Sequence, residues 1–213
     1  MQINKSIHKL RINYSKFKLD ESSIPQNPFK LFDNWFEQIL NSKILEPNAM
    51  ILSTSYKNKP SSRVVLLKHY DEGGFTFFTN YKSRKGIEIE KNSNVALLFY
   101  WMDFERQVRI EGKVKKISRE ESETYFISRP LESRYSAIAS KQSKILEDKE
   151  ILIEKIQKLK EKYGNNPPLP DYWGGYKVIP KYFEFWQGRE NRLHDRICYK
   201  KKSNNWIIFR LSP

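Results

Sequence analysis

The chain has 213 residues and carries 39 lysines and arginines against 25 aspartates and glutamates, so its formal net charge is +14 at pH 7. Aromatic residues make up 14% of the chain, and because each ring buries a large area, the composition argues for a packed core and against wholesale disorder. The length suits one domain with appendages, and the longest uncharged apolar run, from Val95 to Met102, is far shorter than the roughly 20 residues of a membrane-spanning helix.

The amino-terminal residues 1–26 are basic and lack a clear apolar period, so we expect a flexible arm there, followed by a single domain over residues 27–213. The arm also lacks the continuous apolar core of a signal peptide. The first predicted helix follows Asn27, a typical cap, and begins at Pro28, which suits the first helical position. This helix should end near Asn41.

Beyond this helix the apolar period changes to two, which is typical of half-buried strands. A short helix from Ser83 to Asn92, opened by the Ser83 hydroxyl, interrupts the strands. The predicted strands, of which the first three form a β-meander, are Ala49 to Tyr56, Ser62 to Tyr70, Phe75 to Thr79, Val95 to Trp101 and Arg106 to Ile117.

Two further helices are predicted in the second half of the chain. Ser118 and Glu121 have the spacing of a capping box, and the helix that they open should run to Arg129. A longer helix is expected from Ser143 to Tyr163. The remaining predicted strands are short and lie near Gly175 to Ile179, Tyr182 to Gln187, Leu193 to Tyr199 and Trp206 to Leu211.

The order of these elements predicts the fold class. Eight or nine short antiparallel strands that are interrupted by helices, without alternating with them, favour a β-barrel with helical additions over a doubly wound α/β sheet. The eight glycines form neither GxGxxG nor a P-loop. Any bound phosphate must therefore be held by side chains and helix ends.

Cysteine and histidine are scarce. The single cysteine, Cys198, cannot form an intrachain disulfide and suits a reducing cytoplasm. The three histidines, His8, His69 and His194, are dispersed and have no zinc-ligand spacing. We therefore predict a cytoplasmic protein without a metal site.

The excess of positive charge has three readings. It could form a surface for nucleic acid or a membrane, it could line pockets for small anions, or it could be scattered over solvated lysines. Composition alone does not decide among these three interpretations, so we examine the clusters of charged and polar residues.

A first cluster, Ser83, Arg84 and Lys85, lies at the start of a predicted helix. At this point the free backbone N–H groups, the helix dipole, a hydroxyl and two cations would all bind the same anion. The alternative is that Ser83 caps the helix and the cations are solvated. Arg63 and Lys68 flank an apolar strand, and under strict alternation they point to opposite faces.

A second cluster consists of Tyr125, Arg129 and Ser133. Tyr125 and Arg129 are four residues apart on one helix face, and Ser133 lies one turn further. A phenol, a guanidinium and a hydroxyl directed at one point form a phosphate receptor without a glycine loop. Taken singly, each could be an ordinary surface residue.

A third cluster lies between two predicted strands and combines His194 and Asp195 with Arg189, Arg192 and Arg196. So many cations in one hairpin repel one another unless an anion or a carboxylate neutralises them, which favours a functional site. The alternative is that Asp195 pairs with an arginine and that the histidine is structural.

These clusters belong to a longer series of motifs that runs in order from Leu10 to the carboxyl terminus. The series closely resembles the pyridoxine (pyridoxamine) 5′-phosphate oxidase family. The motifs of this series include RVVLLKHYDE (63–72), TNYKSRK (79–85), ERQVRIEG (105–112), YFISRP (125–130), SKQS (140–143), PLPDYWGGY (168–176), EFWQG (184–188), RLHDR (192–196) and the terminal RLSP.

The resemblance implies a fold, a cofactor and a reaction. The fold is a β-rich α+β split β-barrel that binds FMN, with peripheral helices, and the protein is a homodimer with two active sites at the subunit interface. The reaction is the oxidation of pyridoxine or pyridoxamine 5′-phosphate by dioxygen to pyridoxal 5′-phosphate, with release of hydrogen peroxide and, from the amine, ammonia. The flavin accepts the electrons, so the protein supplies positioning and electrostatics.

The resemblance also implies site residues. The implied FMN contacts are Arg63, Val64, Val65, Leu66, Leu67, Lys68, Phe78, Thr79, Arg84, Lys85, Gln107, Gln142, Ser143, Trp186 and Arg196. The implied substrate-binding residues are Arg11 and Tyr14 in the covering arm, Lys68, Tyr125, Arg129 and Ser133 on the phosphate, and Arg192, Leu193 and His194 at the ring.

Two of these residues, Arg192 and His194, are the expected catalytic pair, with His194 a substrate contact first and a possible proton acceptor second.

Three positions depart from the family pattern. Glu46 stands where a shorter Asp is familiar, and Arg189 and Asn191 differ from the common flanking residues.

Two other functions compete with this interpretation. A basic aromatic barrel that binds single-stranded nucleic acid would use Tyr100, Trp101 and Phe104 for stacking, but it would not explain the ordered motifs. A split-barrel flavoprotein without oxidase activity is the other. Bound flavin and release of peroxide would distinguish the three.

Overall fold

A computed structural model describes residues 9–213 of the chain, so His8 and the first part of the predicted arm lie outside the described residues. The described helices are Pro28–Leu40 (α1), Arg84–Lys91 (α2), Arg119–Ser128 (α3), Leu131–Ala139 (α4) and Lys149–Tyr163 (α5). The described strands are Ala49–Tyr56 (β1), Lys59–Leu66 (β2), His69–Asp71 (β3), Gly74–Asn80 (β4), Asn94–Trp101 (β5), Arg106–Lys116 (β6), Trp173–Gln187 (β7), Asp195–Lys202 (β8) and Asn205–Arg210 (β9).

The strands form one sheet in the order β2-β1-β5-β6-β7-β4-β3, and β8 pairs with β7 and β9. Antiparallel pairing joins β1 to β2, β3 to β4, β4 to β7, β7 to β8 and β8 to β9. Helices are inserted between groups of strands and do not alternate with them. Among residues 9–213, no helix is both long enough and apolar enough to cross a membrane.

The chain divides into two compact units. We call them the terminal unit and the central unit. The terminal unit comprises the described part of Met1–Pro47 together with Leu98–Ile110 and Lys181–Pro213, and the central unit comprises Asn48–Leu97 and Glu111–Pro180. The division into an arm over residues 1–26 and one domain over residues 27–213 is kept as a proposal.

The core of the terminal unit is built on α1. Asn27 accepts a hydrogen bond from the backbone N–H of Phe29 at 3.0 Å, and Pro28 occupies the first helical position, as predicted. The buried face of α1 packs edge to face against strand aromatics, with ring centroids 5.2 Å apart for Phe32 and Phe99 and 5.3 Å apart for Trp35 and Phe185.

In the central unit, β4 pairs with the first part of β7 so that Phe78 lies opposite Gly175 and Thr79 opposite Gly174. A Cβ atom at Gly175 would collide with the side chain of Ile117, which is packed over the strand. Glycine is needed here because neighbouring side chains approach the backbone of β7 closely.

The structure corrects the predicted strands at two places. The predicted strand from Ser62 to Tyr70 is two strands, because β2 ends at Leu66 and β3 begins at His69. The two predicted strands from Gly175 to Ile179 and from Tyr182 to Gln187 are one, β7. Pro180 interrupts the pairing of β7 with neither β4 nor β8, because pairing with β4 reaches Val178 and pairing with β8 starts at Tyr182.

The predicted helix from Ser143 to Tyr163 is too long, because α5 starts after Asp148, whose carboxylate accepts a hydrogen bond from the N–H of Glu150 at 2.9 Å. The helix α4 was not predicted from the sequence. Pro130 ends the preceding helix, as expected, but it also stands immediately before the first residue of α4, a position where a missing N–H costs nothing.

Candidate active site

The central unit contains a cavity of about 670 Å³, which is within the usual range for small-molecule sites. Four of its lining residues are cations from three different parts of the chain. The lining comprises Arg63, Val64, Val65, Leu66, Lys68, Phe78, Thr79, Asn80, Lys85, Tyr125, Arg129, Pro130, Ser133, Gln142 and Trp173.

Arg63 and Lys68 line the same cavity, which contradicts their predicted placement on opposite faces. The reason is that strand alternation stops at Leu66, the last residue of β2. Beyond it, the N–H of Leu67 donates to the carbonyl of Asn48 at 2.8 Å, and the N–H of Lys68 donates to the carbonyl of Thr76 at 2.9 Å. The backbone thus changes partner between two residues, and the alternation rule no longer applies.

Arg63 is held at the cavity by a network of hydrogen bonds. Its guanidinium donates to Thr54 Oγ1 at 2.6 Å, to Ser61 Oγ at 2.7 Å and to Glu88 Oε2 at 3.0 Å. Burial raises the pKa of Glu88, but hydrogen bonds from Thr54, Arg84 and Arg63 outweigh it, so the pKa lies below its ordinary value. Glu88 is therefore ionised at neutral pH.

The predicted anion site at Ser83, Arg84 and Lys85 does not form as one unit. Ser83 is fully buried and its Oγ accepts a hydrogen bond from the N–H of Gly86 at 3.3 Å, so it caps α2. Arg84 pairs with Glu88 at 2.8 Å and is absent from the cavity lining. Of the three predicted residues, Lys85 alone lines the cavity.

The Lys85 ammonium lies between a hydroxyl and an amide. It is 3.2 Å from Thr79 Oγ1 and 3.5 Å from Gln142 Oε1. Burial lowers the pKa of Lys85, and the nearby charge of Arg63 lowers it further. An anionic ligand at this point would oppose both effects.

Three stacked rings form one wall of the cavity. The rings of Phe78 and Tyr125 are stacked with centroids 3.8 Å apart, and those of Phe78 and Trp173 with centroids 5.6 Å apart. The Arg129 guanidinium lies 4.7 Å from the Trp173 centroid, in cation–π contact. Packing thus fixes the phenol and the guanidinium of the predicted phosphate receptor.

Arg129 has an unsatisfied donor. Its NH1 atom is buried and has no hydrogen-bond partner within residues 9–213. Burial lowers the pKa of Arg129, whereas Tyr125 opposes this shift. Because buried donors are normally paired, this atom points to a ligand acceptor in the cavity.

A second cavity, of about 600 Å³, lies in the terminal unit and brings together other predicted substrate residues. The ring of Tyr14 packs edge to face against Trp186 and His194, with both centroid distances 5.7 Å. The lining comprises Leu10, Arg11, Ile12, Asn13, Tyr14, Trp186, Arg189, Asn191, Arg192 and His194.

The part of the arm within the described residues is anchored by its backbone. The N–H of Lys16 donates to Glu105 Oε2, and the N–H of Leu19 donates to Asp195 Oδ2, both at 3.1 Å. A Cβ atom at Gly188 would come within 2.7 Å of the Tyr14 ring. Glycine at this position therefore lets the arm reach the cavity.

The tautomer of His194 follows from its hydrogen bond. The backbone N–H of Arg189 donates to His194 Nδ1 at 3.1 Å, so in the neutral ring the proton resides on Nε2. Burial lowers the pKa of His194, the charge of Arg192 lowers it further, and Asp195 opposes the shift. His194 is thus a neutral hydrogen-bond donor through Nε2 at pH 7.

Two departures from the family pattern have a structural explanation. Arg189 NH1 pairs with Asp195 Oδ2 at 3.2 Å, as the alternative interpretation of this cluster expected. Asn191 and Arg192 both adopt left-handed backbone conformations, with φ of 54° and 62°. Asparagine tolerates this region better than most residues, so it suits the turn that presents Arg192. Glu46 is exposed and also has a positive φ, 50°.

Arg196 is held by a buried carboxylate. Glu184, 3% exposed, accepts a hydrogen bond on Oε1 from Arg196 Nε at 2.9 Å and on Oε2 from Arg109 at 2.6 Å, and its Oε1 also lies 2.8 Å from Arg196 NH2 in the ion pair. The hydrogen bond that Arg196 donates to Glu184 raises the pKa of Arg196. Two nitrogens of Arg196 thus face one carboxylate oxygen, which restricts the orientation of the guanidinium.

Several predicted site residues line neither cavity, namely Leu67, Arg84, Gln107, Ser143, Leu193 and Arg196. Not predicted from the sequence were Asn80 and Trp173, which line the first cavity, and Glu88, which holds Arg63 without lining it. Glu88 carried a signal, because it lies four residues after Arg84 on one helix face. Trp173 lay within a recognised motif without an assigned role.

The antiparallel, sheet-rich chain has the fold of the FMN-binding split-barrel proteins, as two solved structures show. The structure superposes on PhzG from Burkholderia lata 383 in complex with tetrahydrophenazine-1-carboxylic acid with a TM-score of 0.88, at 28% identity, over 94% of this chain and 100% of that one. A pyridoxamine 5′-phosphate oxidase-related, FMN-binding protein from Nostoc punctiforme gives 0.70 at 14% identity, over 89% and 100%. The predicted split β-barrel is confirmed.

The sequence comparisons define the family. Residues 36–163 match the pyridoxamine 5′-phosphate oxidase model, and residues 173–213 match the pyridoxine 5′-phosphate oxidase C-terminal dimerisation region. The chain is 51% identical to the pyridoxine/pyridoxamine 5′-phosphate oxidase of Burkholderia lata, over 96% of this chain and 97% of that one. It is 50% identical to that of Paraburkholderia phytofirmans, over 98% and 99%. The chain belongs to the pyridoxamine 5′-phosphate oxidase family, and FMN, the expected cofactor, is the cofactor of that family.

Proposed function

We propose that the chain oxidises pyridoxine 5′-phosphate and pyridoxamine 5′-phosphate to pyridoxal 5′-phosphate with dioxygen. The alcohol loses two electrons and two protons, one hydrogen from C4′ and one from its hydroxyl group, and dioxygen takes them up as hydrogen peroxide. The amine loses the same number to give an imine, which water hydrolyses to the aldehyde and ammonia. Family membership supports the reaction class, and the cavity supports a phosphorylated substrate.

The observation that carries this proposal is the buried, unpartnered NH1 atom of Arg129 on a cavity that Lys68, Tyr125 and Ser133 also line. Two cations and two hydroxyls suit a phosphate, which accepts several charge-assisted hydrogen bonds. In the proposed complex these four residues hold the substrate phosphate. They act by positioning, since anchoring the phosphate limits the orientations of the ring.

The residues present also fit FMN. Arg63 and Lys85 supply cations for its phosphate, Thr79 and Gln142 supply polar contacts, and the cavity has a suitable volume. When bound, FMN supplies the two-electron acceptor that dioxygen reoxidises. Gln107, Ser143, Trp186 and Arg196 remain proposed contacts that rest on the family resemblance.

The terminal unit supplies the proposed ring contacts. Arg192 is presented from a left-handed turn, and the neutral His194 offers Nε2–H to an acceptor on the substrate ring. His194 is thus better suited to donating a hydrogen bond than to accepting the substrate proton. Arg11 and Tyr14 of the arm would cover the bound substrate.

A homodimer with active sites at the subunit interface is also part of the proposal. The match of residues 173–213 to a dimerisation region supports self-association. The cytoplasmic location rests on the single cysteine, which suits a reducing compartment.

The test is peroxide release by the purified, flavin-loaded chain with four compounds. We expect turnover with the phosphates of pyridoxine and pyridoxamine, and at least tenfold lower kcat/KM with unphosphorylated pyridoxamine, since about 1.4 kcal/mol of lost phosphate binding suffices. Tetrahydrophenazine-1-carboxylic acid, the ligand of the PhzG relative, tests the other substrate class. Turnover of that acid alone would refute the proposal, and bound flavin without turnover of any compound would indicate an inactive relative.

A further inference from the structure

Glu88 is a buried carboxylate next to the cavity of the central unit, but it does not line that cavity. It is 6% exposed and lies on α2, next to the two cations that the proposed FMN site needs at this corner, Arg63 and Lys85. We propose that Glu88 is a positioning residue for the FMN phosphate, acting through the guanidinium of Arg63. This inference rests on the proposed function, in which Arg63 and Lys85 face the phosphate.

The carboxylate makes contact with three elements at once. Its Oε2 accepts from Arg63 at 3.0 Å and from Thr54 Oγ1 at 2.5 Å, and its Oε1 accepts from Arg84 Nε at 2.8 Å. Thr54 Oγ1 in turn lies 2.6 Å from Arg63 NH1. One carboxylate therefore ties β1, β2 and α2 together around a single guanidinium.

The need for a carboxylate follows from the crowding of like charges. Arg63 and Lys85 lie so close together that the charge of Arg63 lowers the pKa of Lys85, whereas the charge of Glu88 raises it. Without Glu88, repulsion would favour side-chain conformations that separate the cations. Glu88 thus lets two cations remain at the cavity before a ligand arrives.

Two effects of removing the Glu88 charge oppose each other, and this makes the inference testable. A negative charge near a phosphate site weakens the attraction for a dianion, so its removal should strengthen binding if long-range charge decides. If positioning decides, the loss of hydrogen bonds to a charged group should weaken binding. Glu88 accepts three short hydrogen bonds and is buried, so we expect positioning to prevail.

The experiment titrates the full chain, freed of flavin, with FMN and with riboflavin, which has no phosphate, and follows flavin fluorescence. Glu88→Gln removes the charge at constant size. Glu88→Asp keeps the charge but withdraws the carboxylate by one methylene. Glu90→Gln, at an exposed position on the same helix, is the matched control.

The expected result is a loss of FMN affinity of at least about tenfold in both Glu88 variants, as one lost charge-assisted hydrogen bond implies. Riboflavin affinity should change by less than about threefold, and Glu90→Gln should bind both flavins like the unmodified chain. Tighter or unchanged FMN binding in Glu88→Gln would overturn the inference, and so would equal losses for the two flavins.

A separate result would indicate failure of the proposed function itself, namely that the unmodified chain binds no FMN. If circular dichroism shows that neither Glu88 variant folds, Thr54→Val provides the test, because it removes the hydroxyl that contacts both Glu88 and Arg63. A selective loss of FMN over riboflavin in this variant supports the inference, and an equal effect on both refutes it.

Discussion

The backbone N–H of Arg189 donates a hydrogen bond to Nδ1 of His194 across 3.1 Å. This contact uses the acceptor nitrogen of the neutral imidazole and leaves Nε2–H as its donor. The sequence showed only a histidine beside an aspartate, whereas the structure also determines which ring nitrogen can donate.

The first prediction concerns this donor. His194→Gln retains an N–H near the Nε2 position, whereas His194→Leu retains none. We expect kcat/KM for pyridoxamine 5′-phosphate to be up to about tenfold higher in the Gln variant than in the Leu variant, as a neutral hydrogen bond contributes roughly 0.5–1.5 kcal/mol. Oxygen uptake measures both values. Equal losses in the two variants would argue against a donor role.

Much of the fold followed from local sequence signals. The cap at Asn27, Pro28 and the apolar period predicted α1, and strict alternation predicted β1. Lys68 was misplaced because alternation does not reveal where a strand changes partner. The failure to predict α4 has a comparable cause, since Pro130 marks the end of one helix but does not show whether another helix follows.

The site was predicted less completely than the fold for a related reason. Cations could be found from their motifs, but most contacts of the carboxylates that hold them could not. Glu88 shows only its pairing with Arg84, four residues away, whereas its contact with Arg63 and those of Glu184 depend on tertiary packing. Glu184 lies 75 residues from Arg109 along the chain, and no spacing rule spans that distance. Burial distinguishes these two carboxylates from the many exposed ones.

The second prediction concerns the phosphate receptor. Arg129→Ala removes a guanidinium whose NH1 is buried and unpartnered among residues 9–213. We expect binding of pyridoxamine 5′-phosphate to weaken by about 1.5–3 kcal/mol, the contribution of a hydrogen bond to a charged group. The measurement is KM for this substrate, with unphosphorylated pyridoxamine as the control, whose KM should change little. An unchanged KM for the phosphate would contradict the assignment.

The third prediction separates substrate binding from flavin binding in the terminal unit. Arg192 lines the cavity that contains Tyr14 and His194, and the resemblance places it at the substrate ring. Arg192→Ala should therefore lower turnover by at least about a hundredfold, equal to roughly 2.7 kcal/mol, at full FMN occupancy. Flavin absorbance gives the occupancy and peroxide release gives the turnover. Loss of FMN with normal turnover after reconstitution would reverse the assignment.

The last prediction concerns the carboxylate that Arg109 and Arg196 share. Burial raises the pKa of Glu184, but Arg196 and Arg109 outweigh it, so the pKa lies below its ordinary value. A depressed pKa means that the stabilisation is present above the ordinary pKa of a glutamate and is lost as the pH falls through the depressed value. Glu184→Gln leaves two guanidinium groups without their shared charge. Because the side chains of Arg109 and Arg196 are 42% and 27% exposed, water screens part of this loss, and we expect it to be about 1.5–3 kcal/mol, the contribution of a hydrogen bond to a charged group. Urea unfolding at pH 7 should show this loss, and the difference in unfolding free energy from the unmodified chain should shrink towards acidic pH.

The control is Glu123→Gln, at an exposed position, which should unfold like the unmodified chain at every pH. A pH-independent difference for Glu184→Gln would show that its charge is not what stabilises the fold.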